Sequence, residues 1–392
     1  MPNLANTNTV NVPRVLRAVW LNKGISRIEI SRMLDIDKST VTNIITKLIN
    51  AGIVTSLAEG KASPVGGRKP IHLSINNDFG AILGFEIQPD SYKAVIINLE
   101  GEILDTKFGE IAIDKNNFIT EIVNLVKKIN KEINLPLIGI GLGLSGIINS
   151  DGGIIRKSIP LGISEDFYFY QAINNKIDIP IFIENDAKCC AWGELSTHKD
   201  ESLKNFAFLL IEYRESEVIK KGLGGIAVGL GIVIDGKVYY GNNYAAGEFK
   251  SAFANPTSVN QFSLSKEEII NITKDENIFL KFINELAKNI ALFVNTLSLD
   301  HLFFGGTKTE YQDEIIPIFK KAIEDNWSYK NQINCTIRES TRHDLSVAYG
   351  AGGMLLERIF SIPSASISPD HKQIVRNNII NNIQSIIEMN KI

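Results

Sequence analysis

The apolar pattern of this chain changes once, near residue 78, and this change limits the folds that are open to it. Before that point come three short segments with helical spacing and a Gly/Pro-rich turn; after it, strand-like apolar runs alternate with helical segments. Buried runs such as "LIGIGLGL" at 137–144, followed by helical stretches, are typical of a sheet whose faces are covered by helices. The sequence therefore predicts a small helical head on a larger α/β body.

The head is predicted to contain three helices. The first covers "VPRVLRAVWLNKG", which ends at Gly24, and the second opens with Ser26 and then Glu29, a capping-box pattern. The second helix is expected to bury Ile28, Ile30 and Leu34. The third begins near Asp37 or Ser39, and its helical spacing predicts burial of Val41, Ile44, Ile45, Leu48 and Ile49.

The short turn "LDID" before the third helix predicts a helix-turn-helix, in which that helix turns its polar face toward the edges of DNA bases. The face carries Lys38, Ser39, Thr40, Thr42, Asn43, Thr46 and Lys47. Two strands around the turn "GKASPVGGRKP" indicate a winged variant, whose tip residues Arg68 and Lys69 reach a phosphate or the minor groove. A three-helix module that binds protein is the alternative.

Charge separates the head from the body. Residues 1–77 hold ten Lys and Arg against four Asp and Glu, a net charge of +6. The whole chain has 41 against 44, which leaves the body with 31 against 40, a net charge of −9. A basic head on an acidic body favours contact of the head alone with a polyanion such as DNA.

Several other classes of protein do not fit the sequence. No run of about 18 apolar residues is present, and "MPNLANTNTVNVPR" lacks the apolar stretch of a secretory signal, so we expect a cytoplasmic protein without membrane contact. The three cysteines, Cys189, Cys190 and Cys335, are too few for a disulfide framework. Cys189 and Cys190 are adjacent and lack the C-x-x-C spacing of a zinc site.

The candidate ligand site lies where predicted strands of the body end. Asn185 and Asp186 follow the apolar run "IPIFI", and Glu248 lies in the small-residue loop "NYAAGEF". Acids that face a cleft accept hydrogen bonds from hydroxyl groups, so this pattern favours a polyol ligand. Three roles are open for Asp186 at this point: a catalytic base, a ligand contact, or the N-cap of the helix that follows.

The ordered motifs of the chain resemble those of the ROK proteins (repressor, open reading frame, kinase), in particular the xylose-repressor and N-acetylglucosamine-repressor branch. The motifs are the head "SRIEISRMLDIDKSTVTNIITKLINAGIV", the wing "GGRKP", and then "GIGLGLSGIINSDGGII", "IENDA", "NYAAGE" and "AYGAGGMLL". They span nearly the whole chain. The resemblance implies an actin/hexokinase-like ATPase fold of two ribonuclease-H-type lobes, a sugar in the cleft between them, and a homodimer or larger assembly.

Departures from the kinase branch indicate that ATP is not bound. Where kinases of the family have an Asp followed by Gly-Gly-Thr, this chain has Glu86 in "GFEIQPDSYKA". At the second phosphate loop a charged insertion, "YRESEVIKKGLGG", precedes "IAVGLG", and no Gly-Thr-Gly is present in the sequence there. Without a phosphate donor there is no phosphoryl transfer that a base at Asp186 could assist. We therefore predict no catalytic residue, and Asp186 would become one only if the chain were a kinase.

A second departure concerns the cofactor. Lys250 and Ser251 stand where the family has Gly-His, and the cysteine cluster that holds zinc in the family is missing beyond them. No metal or other cofactor is therefore expected. Phe249, Lys250 or Gln261 is expected to fill the wall of the cleft left by the missing histidine.

The predicted domains are a winged helix-turn-helix at 1–77, a first α/β lobe at 78–196, and a second lobe at 197–392 that ends in an amphipathic helix and makes the dimer contact. The predicted function is a sugar-responsive transcriptional repressor, with xylose metabolism as its expected setting. It would bind a palindromic operator as a homodimer or higher oligomer, and a small sugar through Ser145, Gly146, Asn185, Asp186 and Glu248. The alternatives are a ROK sugar kinase with an added DNA-binding head, and a dimeric DNA-binding protein whose body binds no ligand.

Overall fold

The structure is a computed structural model of the chain. It describes residues 4–59, 71–199, 201, 203–213, 225–257, 260–307, 311–329 and 334–361. The predicted wing-tip residues Arg68 and Lys69 and the predicted C-terminal helix lie outside these ranges. Within the described residues, no helix combines the length and the apolar character that crossing a bilayer requires.

The head contains the three predicted helices, α1 (Leu4–Leu21), α2 (Arg27–Leu34) and α3 (Lys38–Asn50). The capping box is confirmed, because Ser26 Oγ accepts a hydrogen bond from the Glu29 amide at 3.3 Å and Glu29 Oε2 accepts one from the Ser26 amide at 2.8 Å. Helix α1 begins earlier than predicted and continues through Pro13. The turn before α3 is held by Ser31, whose hydroxyl donates to Ile36 O at 2.6 Å.

Burial in the head follows the predicted faces with one exception. On α3 the core side consists of Val41, Ile44, Ile45 and Leu48, with Ile49 partly buried. On α2, Ile30 is buried and Leu34 partly buried, but Ile28 is 46% exposed, so its predicted burial is wrong. Helical residues two apart do not face the same side, and the core takes the side of Ile30.

The wing strands form a small antiparallel sheet. It contains β1 (Ile25–Ser26), β2 (Val54–Glu59) and β3 (Ile71–Ile75) in the order β1-β3-β2. The pair β2 and β3 confirms the predicted wing. Strand β1 was not predicted, because two residues are too few to show an alternating pattern.

The first lobe contains β4 (Ala81–Ile87), β5 (Ser91–Asn98), β6 (Ile103–Glu110), α4 (Phe118–Asn130), β7 (Leu137–Leu144), β8 (Ile147–Asn149), β9 (Ile154–Lys157), β10 (Phe167–Tyr168), α5 (Phe169–Ile173), β11 (Ile181–Asn185) and α6 (Asp186–Thr197). Its main sheet has the order β11-β7-β4-β5-β6. Strands β11, β7 and β4 are parallel to one another, and β5 is antiparallel to both β4 and β6. Asn185 pairs with Leu144, so the carboxyl ends of β11 and β7 meet at one edge of the sheet.

The second lobe contains β12 (Phe206–Tyr213), β13 (Ile226–Ile234), β14 (Lys237–Val238), α7 (Lys266–Asn271), α8 (Glu276–Leu297), β15 (His301–Gly306), α9 (Ile315–Asp325), β16 (Thr336–Glu339) and α10 (Ser346–Phe360). Its sheet has the order β14-β13-β12-β15-β16. Strands β12, β15 and β16 are parallel, and β13 is antiparallel to β12 and β14. The two sheets confirm the predicted two-lobed α/β body, whereas α9 and β16 were not predicted.

Helices α6 and α10 lie between the two sheets. Helix α10 packs on β4, β5 and β7 of the first lobe, and α6 packs on β12 and β13 of the second. The two helices approach closely at Gly350, where an added Cβ would lie 1.8 Å from Cys189 O, so a larger residue does not fit. Our division of the chain assigned α10 to the second lobe, but its packing joins it to the sheet of the first.

Head and body share one hydrophobic core. The cluster that contains Trp20 of α1 continues through the first sheet to the end of α10. Trp20 Nε1 donates to Leu99 O at 3.0 Å, and Arg17 Nη1 donates to Glu357 Oε2 at 3.3 Å. The head is therefore packed directly on the first lobe.

Candidate functional site

A cavity of about 290 Å³ lies between the lobes, at the edge where β7 and β11 end. This volume is near the lower end of the range for ligand sites, about 300–1,000 Å³. All five predicted sugar-binding residues line it: Ser145, Gly146, Asn185, Asp186 and Glu248. The opposite wall includes Leu210, Glu212, Ile226, Val228, Phe249 and Gln261. The structure thus brings the predicted residues together, and their binding of a sugar stays a prediction.

Asn185 is the N-cap of α6. Its Oδ1 accepts a hydrogen bond from the Lys188 amide at 3.0 Å. Its Nδ2 donates to Gly146 O at 3.0 Å and to Asp186 Oδ1 at 2.9 Å, so both amide protons are used within the protein. The N-cap role that was open for Asp186 is therefore wrong, because Asn185 holds that position.

Asp186 is the first residue of α6 and is 8% exposed. Its Oδ1 accepts hydrogen bonds from Asn185 Nδ2 and, at 2.8 Å, from the Ala187 amide. The positive end of the helix dipole stabilises an anion at this position. Asn185 orients the carboxylate and Asp186 lines the cavity, an arrangement that favours Asp186 as the ligand contact of the two.

Glu248 reaches the same cavity from the second lobe, where its backbone forms a bridge with Gly229 on β13. Gly247 precedes it with φ +90°, and an added Cβ there would lie 1.9 Å from Leu230 O. Only glycine allows this approach of the loop to the strand. The sequence "AAGE" is therefore required for the path that brings Glu248 to the cavity.

Glu248 lines the cavity and is an exposed residue, although neighbouring protein removes part of the water around its carboxyl group. Among the described residues, none donates a hydrogen bond to it. Burial raises the pKa of Glu248, and the nearby Lys188 and Lys157 oppose this shift. The group is thus an acceptor that faces the cavity.

Two buried ionisable side chains, Glu184 and Lys188, flank the cavity residues Asn185 and Asp186 along the chain. Lys188 is 2% exposed and Glu184 is fully buried. Glu184 accepts hydrogen bonds from the Asn185 amide at 2.9 Å and from Tyr240 Oη at 2.7 Å. Burial raises the pKa of Glu184, and Lys188 is the largest opposing influence. A charge so far from solvent is tolerated only with such partners.

Two further carboxylates meet where the kinase pattern has a phosphate loop. Gln88 Nε2 donates to Glu86 Oε1 at 3.4 Å and to Glu212 Oε1 at 3.2 Å, and so joins the two lobes. Glu86 is 6% exposed, and burial raises its pKa while Lys93, 3.4 Å away, opposes the shift. This corner therefore holds two acidic side chains and an amide between them.

The wall beyond Glu248 contains two of the three residues expected as alternatives for it. Phe249 and Gln261 line the cavity, whereas Lys250 is exposed and its Nζ donates to Pro256 O at 3.3 Å. Gln261 holds the wall in place. Its Oε1 accepts from the Val228 amide at 2.8 Å, and its Nε2 donates to Val228 O at 2.8 Å and Phe249 O at 2.7 Å.

The polar face of α3 is open to solvent in the head. The exposed residues are Lys38, Ser39, Thr42, Asn43, Thr46 and Lys47, and Thr40 is partly buried. The hydroxyls of Thr42 and Thr46 donate to Lys38 O at 2.7 Å and Thr42 O at 2.8 Å, one helical turn back. Asn43 is thus the amide on this face that keeps both donor and acceptor groups for a base edge.

Sequence reasoning missed several residues around the cavity. Glu212 is the next-to-last residue of β12 and was not singled out, and neither were Tyr240 and Lys188. Lys188 carried a usable signal, since a lysine in the otherwise small and apolar run "AKCCAW" requires a buried partner. Tyr240 carried none, because its contact depends on the path of the loop.

Comparisons with known proteins agree with this architecture. A model of the ROK family matches residues 82–258, and a model of winged helix-turn-helix DNA-binding domains matches residues 13–55. The chain is 29% identical over 253 residues to a xylose repressor of Caldicellulosiruptor bescii, which covers 63% of this chain and 59% of that protein. It is also 29% identical over 284 residues to a xylose repressor of Staphylococcus xylosus, covering 70% and 68%. The alignments thus span about three fifths to two thirds of these relatives.

The fold also matches a solved structure along almost its whole length. A crystal structure of a ROK family transcriptional regulator, a homolog of the E. coli Mlc protein, superposes with a TM-score of 0.70. The match covers 97% of this chain and 99% of that one at 17% identity. The resemblance to ROK proteins and the predicted fold, a winged helix-turn-helix head on a two-lobed body, are therefore confirmed.

Proposed function

This chain carries a ROK family domain behind a winged helix-turn-helix domain. We propose that it is a transcriptional repressor whose operator affinity responds to a small sugar. Two relatives named xylose repressor support this proposal and make D-xylose the first effector to test. The cavity supports it as well, because Asp186 and Glu248 place acceptors for hydroxyl groups in it. A repressor of this kind works in the cytoplasm, beside its operator.

One observation carries the proposal: α10 contacts both the cavity helix and the head. Along its first half α10 packs on α6, the helix that begins at Asp186. At its other end, Glu357 pairs with Arg17 of α1 at 3.3 Å. A ligand that changes how the two lobes sit around α6 and α10 therefore acts on an element that bears directly on the head.

The proposed mechanism is a shift between two arrangements of a homodimer. Two heads bind the halves of a palindromic operator, and their spacing must match that of the half-sites. A sugar that binds one lobe arrangement better raises its population, and the heads then no longer fit the operator. A coupling free energy of about 1–3 kcal/mol, a change in affinity of roughly 5- to 150-fold, is sufficient.

The corner formed by Glu86, Gln88 and Glu212, where the kinase pattern has a phosphate loop, supports a binding protein over a kinase. Phosphoryl transfer needs backbone N–H donors and cations around the phosphates. Here Glu86 and Glu212 place two carboxyl groups in that corner, and Gln88 fills the space between them. A nucleotide would have to displace Gln88 and approach two acidic groups. We therefore propose that Asp186 binds ligand without catalysing a reaction.

The deciding experiment measures operator binding with and without sugars. The full chain is titrated onto its operator in the presence of D-xylose and, separately, other pentoses, hexoses and amino sugars. A loss of operator affinity with one of them supports the proposal. If a sugar raises the melting temperature of the protein and none changes operator binding, the body is a ligand-binding module uncoupled from the head. If no sugar does either, the alternative of a ligand-blind DNA-binding dimer replaces it.

A further inference from the structure

The loop of residues 240–248 carries Glu248 into the cavity along a path that requires an unusual backbone conformation at Tyr244. Asn243 and Tyr244 both have positive φ, at 57° and 63°. A tyrosine in this left-handed region is unusual and persists only where surrounding contacts determine it. The contacts that hold this loop are therefore informative.

Three hydrogen bonds hold the loop on the first lobe. Tyr244 Oη donates to Asp151 Oδ2 at 2.9 Å, and Tyr240 Oη donates to Glu184 Oε2 at 2.7 Å. Lys188 Nζ donates to Tyr244 O at 3.2 Å. In two of these bonds a carboxyl group accepts, and in the third an ammonium group donates; bonds to charged groups are stronger than those between neutral groups.

The two tyrosine rings also contact each other. Their centroids lie 5.5 Å apart with the planes at 61°, an edge-to-face arrangement. The neighbouring Tyr239, by contrast, is 54% exposed. Tyr240 and Tyr244 thus form one unit, which we call the tyrosine clasp.

Glu248 depends on this loop for its position. Among the described residues no donor hydrogen-bonds to its carboxylate, so only the backbone of the loop places it. The backbone is tied to the second lobe by the Leu230 amide, which donates to Gly247 O at 3.1 Å, and to the first lobe by the clasp. Loss of either connection would leave the carboxylate without a fixed place in the cavity.

We propose that Tyr240 and Tyr244 are positioning residues that hold Glu248 in the cavity before a ligand arrives. The proposal rests on the proposed sugar site and adds that one wall of the site is built in advance. A ligand then meets Asp186 and Glu248 already in place, and less of its binding free energy is spent on ordering the loop. Without the clasp, the loop would have to be ordered at each binding event.

The first test needs no ligand. Amide hydrogen exchange in peptides covering 240–248 is measured on the full chain as wild type, Tyr244→Phe and Tyr239→Phe. Tyr244→Phe keeps the ring and removes only the bond to Asp151, so we expect faster exchange in this loop. Tyr239→Phe is the matched control and should exchange like the wild type. Equal exchange in Tyr244→Phe and wild type would overturn the clasp.

The second test separates positioning from general destabilisation. Asp151→Asn keeps an acceptor for the phenol and should retain slow exchange and D-xylose affinity, whereas Asp151→Ala should resemble Tyr244→Phe. We expect Tyr244→Phe to weaken D-xylose binding roughly tenfold in calorimetry. In a Glu248→Gln background the same substitution should have little further effect on D-xylose affinity, because the carboxylate that Tyr244 is proposed to position is already missing.

The outcomes distinguish the two proposals. An equal loss of D-xylose affinity from Tyr244→Phe in both backgrounds would show that the clasp does not act through Glu248, and would overturn its positioning role. Unchanged D-xylose affinity in Glu248→Gln, or no binding by the wild type, would count against the proposed effector site. The exchange measurement would still decide whether the tyrosines hold the loop.

Discussion

The indole ring of Trp20 stacks on the phenyl ring of Phe360, with the centroids 4.7 Å apart and the planes 11° apart. Trp20 lies on the first helix of the head and Phe360 at the end of α10, so this pair joins the DNA-binding domain to the helix between the lobes. Both side chains are almost fully buried. The head and α10 are therefore joined by a close-packed contact, through which we expect a rearrangement at α10 to reach the head.

Trp20→Phe should weaken the transmission from body to head. The substitution removes the hydrogen bond to Leu99 O and leaves that buried carbonyl without its donor, at a cost of about 1–3 kcal/mol in the free energy of unfolding. We also expect operator affinity to change less on sugar addition, while sugar affinity itself is retained. Denaturant unfolding, calorimetry and operator titration measure the three quantities. Trp327→Phe, the same change far from the head, is the control, and a normal sugar response in Trp20→Phe would refute the transmission.

Asn43→Ala and Lys47→Ala should affect DNA binding in different ways. An asparagine amide on the exposed face of α3 can pair with an adenine edge, so its loss should reduce discrimination between operator and altered sites by about 1–3 kcal/mol. Lys47→Ala should weaken binding to all sequences and reduce the salt slope by about 1. Fluorescence anisotropy at several salt concentrations measures both. Lys127→Ala, exposed on α4 of the body, should have no effect, and equal loss of discrimination in all three would contradict the assignment.

The sequence predicted which residues meet at the cavity where a polar residue stands at a recognisable strand end or turn. Asp186, Asn185 and Glu248 stand at strand ends or in a glycine-containing loop, so their convergence on the cavity follows from parallel strands and a short turn. The choice of cap was not decidable, because Asn and Asp are both good N-caps and differ here by one position. The contact of α10 with the first sheet was not predictable either, since an apolar helix fits the face of either lobe.

No phosphotransfer is expected from this chain. With ATP, magnesium and any sugar that raises the melting temperature, phosphosugar should not exceed the level of an Asp186→Ala control. The reason is the corner occupied by Gln88 between Glu86 and Glu212. Chromatography of the sugar products is sufficient. Turnover that disappears in the control would make Asp186 a catalytic base and would replace the repressor proposal by a kinase.

His198 should make stability depend on pH above the ordinary titration range of histidine. Its Nε2 lies 3.1 Å from Glu194 Oε2 and its Nδ1 lies 3.0 Å from Glu201 Oε1. The bond to Glu194 is the main cause that raises the pKa of His198 in the folded chain above 6.5. The stabilisation is thus fully present below pH 6.5 and is lost as the pH rises through the raised value.

The measurement for His198 is the free energy of unfolding of wild type and His198→Gln from about pH 5.5 to about pH 9, which begins below the reference pKa of histidine and extends well above it. Because only the wild type carries the titrating charge, their difference should be largest at acidic pH and should shrink toward pH 9. His343→Gln, at an exposed position on a single neighbouring carboxylate, is the control. Parallel curves for wild type and His198→Gln would show that the ion pair makes no net contribution.

Asp186→Asn should separate ligand binding from DNA binding. The carboxylate accepts two hydrogen bonds within the protein through Oδ1, and an asparagine can keep that oxygen while its other atom becomes a donor. The fold should therefore be retained, while loss of a charged acceptor opposite a sugar hydroxyl should cost about 2–3 kcal/mol, or roughly 30- to 150-fold in D-xylose affinity. Operator affinity without sugar should stay at the wild-type value, because the substitution lies in the cavity and not in the packed contact between α1 and α10. Calorimetry with D-xylose and operator titration measure the two effects, and Glu248→Gln should behave alike.

In the double variant the losses should combine less than additively, since both residues would serve one ligand in one state of the cleft. If either single variant keeps its sugar response, its carboxylate only braces the cavity wall, and the contacts with the sugar must come from the other residues that line it.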